Sequence, residues 1–525
     1  MLALIIVLGG CGGKGQASNA ASGGSGSAKP YAELRWGVTP FPGPINLNNN
    51  LWAQVGSIES LAVQSLVELE PDGKIKPGLA SSIEHPNATT YVYNIRPGVK
   101  FSDGKPLTVA DVVFSLQRNV TGKESEVKSF WEGVSSIAAQ GKSAVVIKLK
   151  RPNAVWPSIV SVSSQIIEKA QAEMVGEKAL GTAGHLPIGT GPWKLDSFKP
   201  EVNVQLSRNP YWTGPQPPAS KITVDLFKEE SQIALALRSG EIDGTFNYLS
   251  PKLFGDIQGV RQSTAPGTNL LMLEINTKRP PFNDVHVRRA IAYATDVPAI
   301  IKALYPGAAT EDVTISPASL FADLGTSSQV GEMLGNLPKY DLDLAAAKRE
   351  LAKSPYPHGF TMKVQALSAD TIEVDVAQIV AADLAKIGIK ATVQGIPLDE
   401  NSNMYGNKVS VWVNEYYAFY PDSEGLIGSL LPPSQIRPPG SGLNVAAYRN
   451  AEVDKLLPEE LETTDPTQRL KLLGKMLGIE GAEVPYRPLY THDAFLALSE
   501  KLVFPTFSAW SSVYTPWAID VKPAQ

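Results

Sequence analysis

Residues 411–422, VWVNEYYAFYPD, crowd one Trp, three Tyr and one Phe into nine positions and close on a Pro-Asp turn. Aromatic faces supply apolar contact area, while Asn414, Glu415 and Asp422 supply hydrogen-bonding and charged groups beside them. That mixture is the usual lining of a small-ligand cleft. The candidate contact residues in this run are Asn414, Glu415, Tyr416, Tyr417, Phe419 and Asp422. The same run also reads as a buried strand followed by a loop packed on the core, because aromatic rings serve both purposes. Trp52, behind the polar stretch 46–50 (NLNNN), is a second candidate from the N-terminal side.

Catalytic chemistry finds little to work with. The chain has no G-x-x-x-x-G-K-[ST] phosphate loop and no G-x-S-x-G nucleophile elbow. Gly189-Thr190-Gly191-Pro192 fails the dinucleotide pattern and puts Pro where a helix would have to begin. The five histidines (His85, His185, His286, His358, His492) stand far apart, without an H-E-x-x-H spacing, so no metal and no cofactor is expected. Carboxylate pairs abound in a chain of this size, and a glycosidase-type pair stays open without any spacing that favours it.

Cys11 is the one cysteine, so it cannot staple the fold or build a thiolate zinc site. It follows the apolar run MLALIIVLGG, which falls well short of the roughly 20 residues a spanning helix needs. The run resembles the apolar core of a secretory signal peptide, although no Lys or Arg precedes it. Leu8-Gly9-Gly10-Cys11 resembles a bacterial lipobox, which implies cleavage before Cys11 and a lipidated thiol. Residues 1–10 are therefore expected to be a lipoprotein signal peptide. Residues 11–29, rich in Gly, Ser and Ala, are expected to be a tether too poor in apolar groups to pack.

The elements that must position these residues belong to a long globular chain. Its 525 residues suggest about three domains. The 43% hydrophobic and 19% charged residues exclude wholesale disorder. A net charge of −5 leaves no basic excess for phosphates, so no nucleic-acid partner is expected. Strand-like and helical segments alternate from the run ELRWGV near Leu34 to the C-terminus, which predicts an α/β architecture. Strands are predicted at 91–95, 144–149 and 222–226. Thr108, with Asp111 three residues on, predicts a capped helix start; Asp296 and Pro298 predict another. Ile372, Val376, Ile379, Val380, Leu384 and Ile387 form a helical core stripe that ends at Gly388.

A resemblance spans nearly the whole body of the chain. The segment 65–118 (SLVELEPDGKIKPGLASSIEHPNATTYVYNIRPGVKFSDGKPLTVADVVFSLQR) resembles the bacterial extracellular solute-binding proteins of family 5, peptide, nickel and opine receptors of ABC importers. PIGTGPWKL (187–195), LSRNPYW (206–212), LRSGEID (237–243), NTKRPPFNDVHVRRAIAYATD (276–296) and YRNAEVDKLL (448–457) follow in family order. By themselves these blocks read as turns and caps, such as Phe101-Ser102-Asp103-Gly104 and Asn283-Asp284.

The resemblance implies a two-lobed periplasmic-binding-protein-like (Venus-flytrap) fold with an extra α/β domain inserted in the first lobe. Lobe I would comprise 30–55, 186–270 and 491–525, the extra domain 56–185, and lobe II 271–490. It further implies a monomeric substrate-binding lipoprotein that captures a small-molecule or oligopeptide ligand and delivers it to an ABC-importer permease, extracytoplasmic and held at the membrane by its lipid. No enzymatic activity is then expected; the alternative is a secreted hydrolase using an unrecognised carboxylate pair. Many peptide-binding members carry a W-x-x-D-Y-P-D-P-like run whose first Asp pairs with the peptide's α-amino group. Aligned on Tyr420-Pro421-Asp422, that Asp position is Phe419 and the Trp position is Tyr416. Phe419 cannot neutralise an ammonium, although an aromatic face still attracts a cation weakly. Glu415 or Asp422 would take the role in a shifted alignment.

Overall fold

The computed structural model describes residues 31–246, 249–404, 408–436 and 442–524; of 401–403 only the backbone is described. The expected signal peptide, the tether and Cys11 lie outside these residues. Among the described residues no helix is long and apolar enough to cross a membrane.

One mixed sheet runs through most of the molecule. Its strand order is Lys390–Ile396, Thr361–Leu367, Val411–Tyr417, Val260–Ile275, Tyr486–Ser499, Gly244–Phe246, Tyr31–Val38, Ala219–Leu226, Asn203–Arg208 and Trp193–Lys199, with Ala309–Glu311 added beside Tyr486–Ser499. Each wing holds a parallel trio. Thr361–Leu367 is parallel to both Lys390–Ile396 and Val411–Tyr417. Tyr31–Val38 is parallel to both Ala219–Leu226 and Gly244–Phe246.

The two long antiparallel strands, Val260–Ile275 and Tyr486–Ser499, pass from one wing to the other. Residues 269–275 are flanked by Val411–Tyr417, whereas 496–498 are flanked by Gly244–Phe246. Between these stretches the register breaks, from Ala265 opposite Ala494 to Asn269 opposite His492. Pro266 cannot donate to the ladder there. Gly267 approaches the opposing backbone so closely that a Cβ would lie 1.8 Å from the His492 carbonyl oxygen.

Each wing has its own apolar core. Leu34, Trp36, Ile222, Val224, Leu496 and Trp517 pack one, with the Trp36 and Trp517 rings 4.6 Å apart. Leu271, Leu273, Val364, Val376, Val380 and Val413 pack the other. A separate four-stranded antiparallel sheet, Ala80–Asn87, Thr90–Ile95, Ala144–Leu149 and Val134–Gln140, is backed by helix Val109–Thr121. Its core, including Tyr93, Trp131 and Trp156, is continuous with Phe419, Leu426 and Leu473, which binds this sheet to the wing that holds the aromatic run.

The local signals behave as their chemistry requires. The Thr108 side chain accepts from Asp111 N–H while the Asp111 carboxylate accepts from Thr108 N–H, closing the capping box. Asp296 caps helix Val297–Leu304 through Ala299 N–H at 3.0 Å. Asp284 caps Val285–Ala294, whose Arg288 and Arg289 donate to the Glu483 and Ala482 carbonyls at the C-terminal end of helix Pro466–Glu483. Cationic groups there complement the helix dipole.

Candidate functional site

Open α/β sheets bind ligands beyond the carboxyl ends of parallel strands. In one wing those ends are Leu367, Ile396 and Tyr417; in the other they are Val38, Leu226 and Phe246. The turns that follow lead to Asp370, at the start of helix Thr371–Ala385, and to Glu230, in the first turn of helix Glu230–Ser239. The two sets of strand ends flank the crossing strands Val260–Ile275 and Tyr486–Ser499, and the charges of Asp370 and Glu415 each add to the upward shift of the Glu230 carboxyl.

Glu415 lies near the end of Val411–Tyr417, on the face that looks toward helix Thr371–Ala385 and the crossing strands. Its Oε1 accepts from Asn269 Nδ2 at 2.8 Å and meets His492 Nε2 at 3.0 Å. The other imidazole nitrogen, Nδ1, lies 2.9 Å from the Asp493 carbonyl oxygen. Both partners are acceptors, so the ring satisfies both only as an imidazolium. Burial pulls the His492 pKa down, but Glu415 overcomes that and holds it above the usual value. Tyr305 stacks flat on the imidazole, 4.6 Å away at 8°.

Asp370 caps its helix with one oxygen, Oδ1, which accepts from Ile372 and Glu373 N–H at 2.9 Å each. Burial, and next the charge of Glu415, push its carboxyl up to about 6. In the other wing Glu230 Oε2 accepts from Ser250 N–H at 2.9 Å. Burial raises Glu230 to about 7, with smaller contributions from Asp370 and Glu415. A narrow cleft opens at the crossing strands. Thr268, Asn269, Tyr417, His492, Trp510 and Tyr514 enclose a cavity of about 10 Å³ there, roughly room for one water.

The aromatic run divides between faces as a strand must. Tyr417 shares the cleft side with Glu415, and its hydroxyl donates to the Leu51 carbonyl oxygen, next to Trp52. Asn414 and Tyr416 turn to the opposite face, beside Glu274. Phe419 is buried against Phe130 and Tyr417, with ring centroids 5.7 and 5.3 Å away. Asp422 is engaged by Arg469, whose Nη1 and Nη2 donate to its two oxygens at 3.0 and 2.9 Å; its Oδ1 also accepts from Glu424 N–H. Trp52 is half-buried on the apolar core of Leu34 and Trp36, at the start of helix Ala53–Glu59. The structure thus keeps Glu415 and Tyr417 on the cleft side of the run and buries Phe419 in the apolar core with Phe130.

The strand ends and crossing strands also supply Glu230, Asn269, Asp370 and His492, which sequence reasoning did not single out. Asp370 had a signal, as the acidic residue just before a helical stripe. His492 and Asn269 had none, because only the pairing of strands 200 residues apart makes them neighbours.

A family profile, bacterial extracellular solute-binding proteins, family 5 (middle), matches residues 74–437. The chain belongs to the bacterial extracellular solute-binding proteins of family 5. Its members are binding proteins of ABC importers. The glutathione-binding protein GsiB of Escherichia coli (strain K12) is 26% identical over 452 residues, covering 84% of this chain and 85% of GsiB. The DppA periplasmic binding protein of Helicobacter pylori, solved with the peptide STSA, superposes with a TM-score of 0.84 at 22% identity, covering 94% of this chain and 98% of DppA. The oligopeptide-binding protein AppA of Bacillus subtilis, solved with a nonapeptide, gives 0.82 at 21% identity, covering 95% and 100%. The mixed α/β fold of this family-5 chain is accordingly that of the two-lobed periplasmic binding proteins.

Proposed function

We propose that this chain captures a peptide-like or other small organic solute between its lobes and delivers it, chemically unchanged, to an ABC-importer permease. The observation that carries this reading is the cleft itself. Strand ends from both lobes flank the stretch where only two strands cross, so a ligand touching both sides favours closure. Its walls mix aromatic rings with a few oriented polar groups, and no nucleophile–base pair has emerged there. GsiB is named for glutathione binding, and DppA and AppA were solved with peptides; these names support a peptide-like ligand here.

In this reading lobe I comprises 30–55, 186–270 and 491–525, the additional domain 56–185, and lobe II 271–490. Cys11, lipidated after loss of residues 1–10, tethers a monomer to the outside of the cell membrane. With Phe419 at the position that many peptide-binding members fill with Asp, the α-amino group of a peptide is not held there. Of the expected contact residues, Glu415 and Tyr417 are the proposed ligand-side residues of the run, with Trp52 from the N-terminal side, whereas Asn414 and Tyr416 face away from the cleft, Phe419 is buried and Asp422 is held by Arg469.

Native mass spectrometry of the gently purified chain tests the proposal. A noncovalent adduct of defined mass, released unchanged on mild denaturation, is expected. Release of a converted product instead would overturn the transport reading in favour of an enzyme. Cys11→Ala should shift the protein from the membrane to the soluble fraction; retention at the membrane would overturn the lipid anchor.

A further inference from the structure

A second cavity lies away from the cleft, beside a stretch of Tyr486–Ser499 that Ala309–Glu311 leaves uncovered. That short strand pairs only with 490–492, and Tyr486, Arg487 and Pro488 beyond it border a space of about 260 Å³. The cleft cavity holds about 10 Å³ and shares no lining residue with it. At about 30 Å³ per water, the second cavity has room for roughly eight waters or one small organic molecule. Val313, Pro338, Tyr340, Tyr486 and Pro488 give it apolar and aromatic walls.

Arg487 is the buried charge of these walls, only 3% exposed. Its Nη1 donates to the Pro488 carbonyl at 2.7 Å and its Nη2 to the Tyr340 carbonyl at 3.1 Å. Among the described residues its one carboxylate contact is Glu311, at a long 3.4 Å from Nη2, and Nε has no partner. Nε–H and Nη2 share one edge of the planar fork, an edge that a carboxylate grips with two parallel hydrogen bonds. That edge is underused here, and a buried guanidinium gains most from completing it. Glu480 also lines the cavity, its Oε1 unpartnered among the described residues. Burial raises the Glu480 carboxyl to about 8, so at neutral pH it is largely uncharged and does not repel an anion. The exposed lining residues Lys339 and Asp341 carry opposite charges and offset each other.

We infer that this cavity is a second binding site, which takes a small organic acid with its carboxylate on the Nε/Nη2 edge of Arg487 and its apolar body against the walls. The incoming carboxylate replaces Glu311, whose partly exposed side chain turns to solvent. Inorganic phosphate fits less well, because it has no apolar body to bury. The inference goes beyond the receptor reading and does not depend on the cleft. Every lining residue lies between 311 and 488, inside the proposed second lobe, so the site is complete whether the lobes are open or closed.

The test titrates sodium benzoate, and benzamide as its uncharged isostere, against the full chain by ligand-observed NMR. The wild type is expected to bind benzoate at least about tenfold more tightly than benzamide. Arg487→Lys keeps the charge but loses the fork, and should weaken benzoate binding about tenfold. Glu311→Gln removes the rival carboxylate and should tighten benzoate binding about threefold. A damaged fold does not produce such a gain, so this variant carries the test if Arg487→Lys does not fold; thermal melts monitor both. No benzoate binding, equal binding of benzoate and benzamide, or unchanged affinity in Glu311→Gln overturns the second site. Displacement of benzoate by equimolar inorganic phosphate overturns the organic-acid class. Each of these results leaves the receptor reading intact, since that reading stands or falls with the native adduct.

Discussion

Glu274 stands on the sheet face opposite the cleft, fully buried between Asn414 and Tyr416. Burial drives its carboxyl up to about 8, which the hydrogen-bonding groups of Tyr416 and Asn414 only partly oppose. Glu480, also buried, is raised to about 8 for the same reason. The folded state therefore binds protons that the unfolded chain releases near its ordinary carboxyl value. This contribution is complete below about pH 4.5, fades as pH rises, and levels off above about 8. Urea unfolding should show stability falling between pH 5 and pH 8. Glu274→Gln should flatten that fall by on the order of a few kcal/mol; an unaltered slope would show that Glu274 ionises freely. Asp422 makes the contrasting case. Removing its charge with Asp422→Asn leaves Arg469 beside Glu460 in a buried setting, and a loss of about 3–5 kcal/mol is expected in the same measurement. Solute affinity should change far less than stability. Side-chain type alone marked Glu415 and Asp422 as equals; Arg469, 47 residues away, separates them, and nothing in the run 411–422 announces it.

Elements were more legible than contacts. Period-two alternation and turn residues located the strands Thr90–Ile95 and Ala144–Leu149, and the 371–385 stripe became a helix whose apolar side packs the second lobe. Caps are written in adjacent residues, so they survive the loss of tertiary information. Thr108→Ala should cost about 1 kcal/mol in thermal or denaturant unfolding, since it removes one half of a reciprocal pair. The bulge at 266–268 was not legible, because its meaning depends on a strand more than 220 residues later. Gly267→Ala forces a methyl onto the His492 carbonyl and cannot be absorbed by a rotamer change. It should lower the melting temperature markedly and disturb the imidazolium–Glu415 pair together with it. A wild-type melt in Gly267→Ala would show that the crossing strands yield more easily than their spacing suggests.

At the scale of the molecule, the four-stranded sheet and its connections are packed directly on the wing that holds the aromatic run. Ala154 N–H donates to the Leu461 carbonyl at 2.8 Å, Arg151 pairs with Glu462 at 2.9 Å, and Phe130 meets both Phe419 and Tyr420. Small-angle scattering should record a smaller radius of gyration with solute than without it; identical curves would mean that the lobes do not move. The Arg151–Glu462 pair is solvent-exposed, so Arg151→Ala should change stability by less than about 1 kcal/mol.

The crossing of the two long strands also governs the order in which the chain can fold. The first lobe opens with Tyr31–Val38, yet Gly244–Phe246 beside it is completed by residues 496–498, and Tyr31 itself donates to the carbonyl of Val521. Trp36 likewise waits for Trp517. A nascent chain released at residue 490 would hold a nearly finished second lobe and a first lobe lacking its last strand and its aromatic cover. Loop closure over nearly 500 residues is slow compared with local helix formation. The N-terminal lobe is thus the last to become native, and synthesis must end before its folding can.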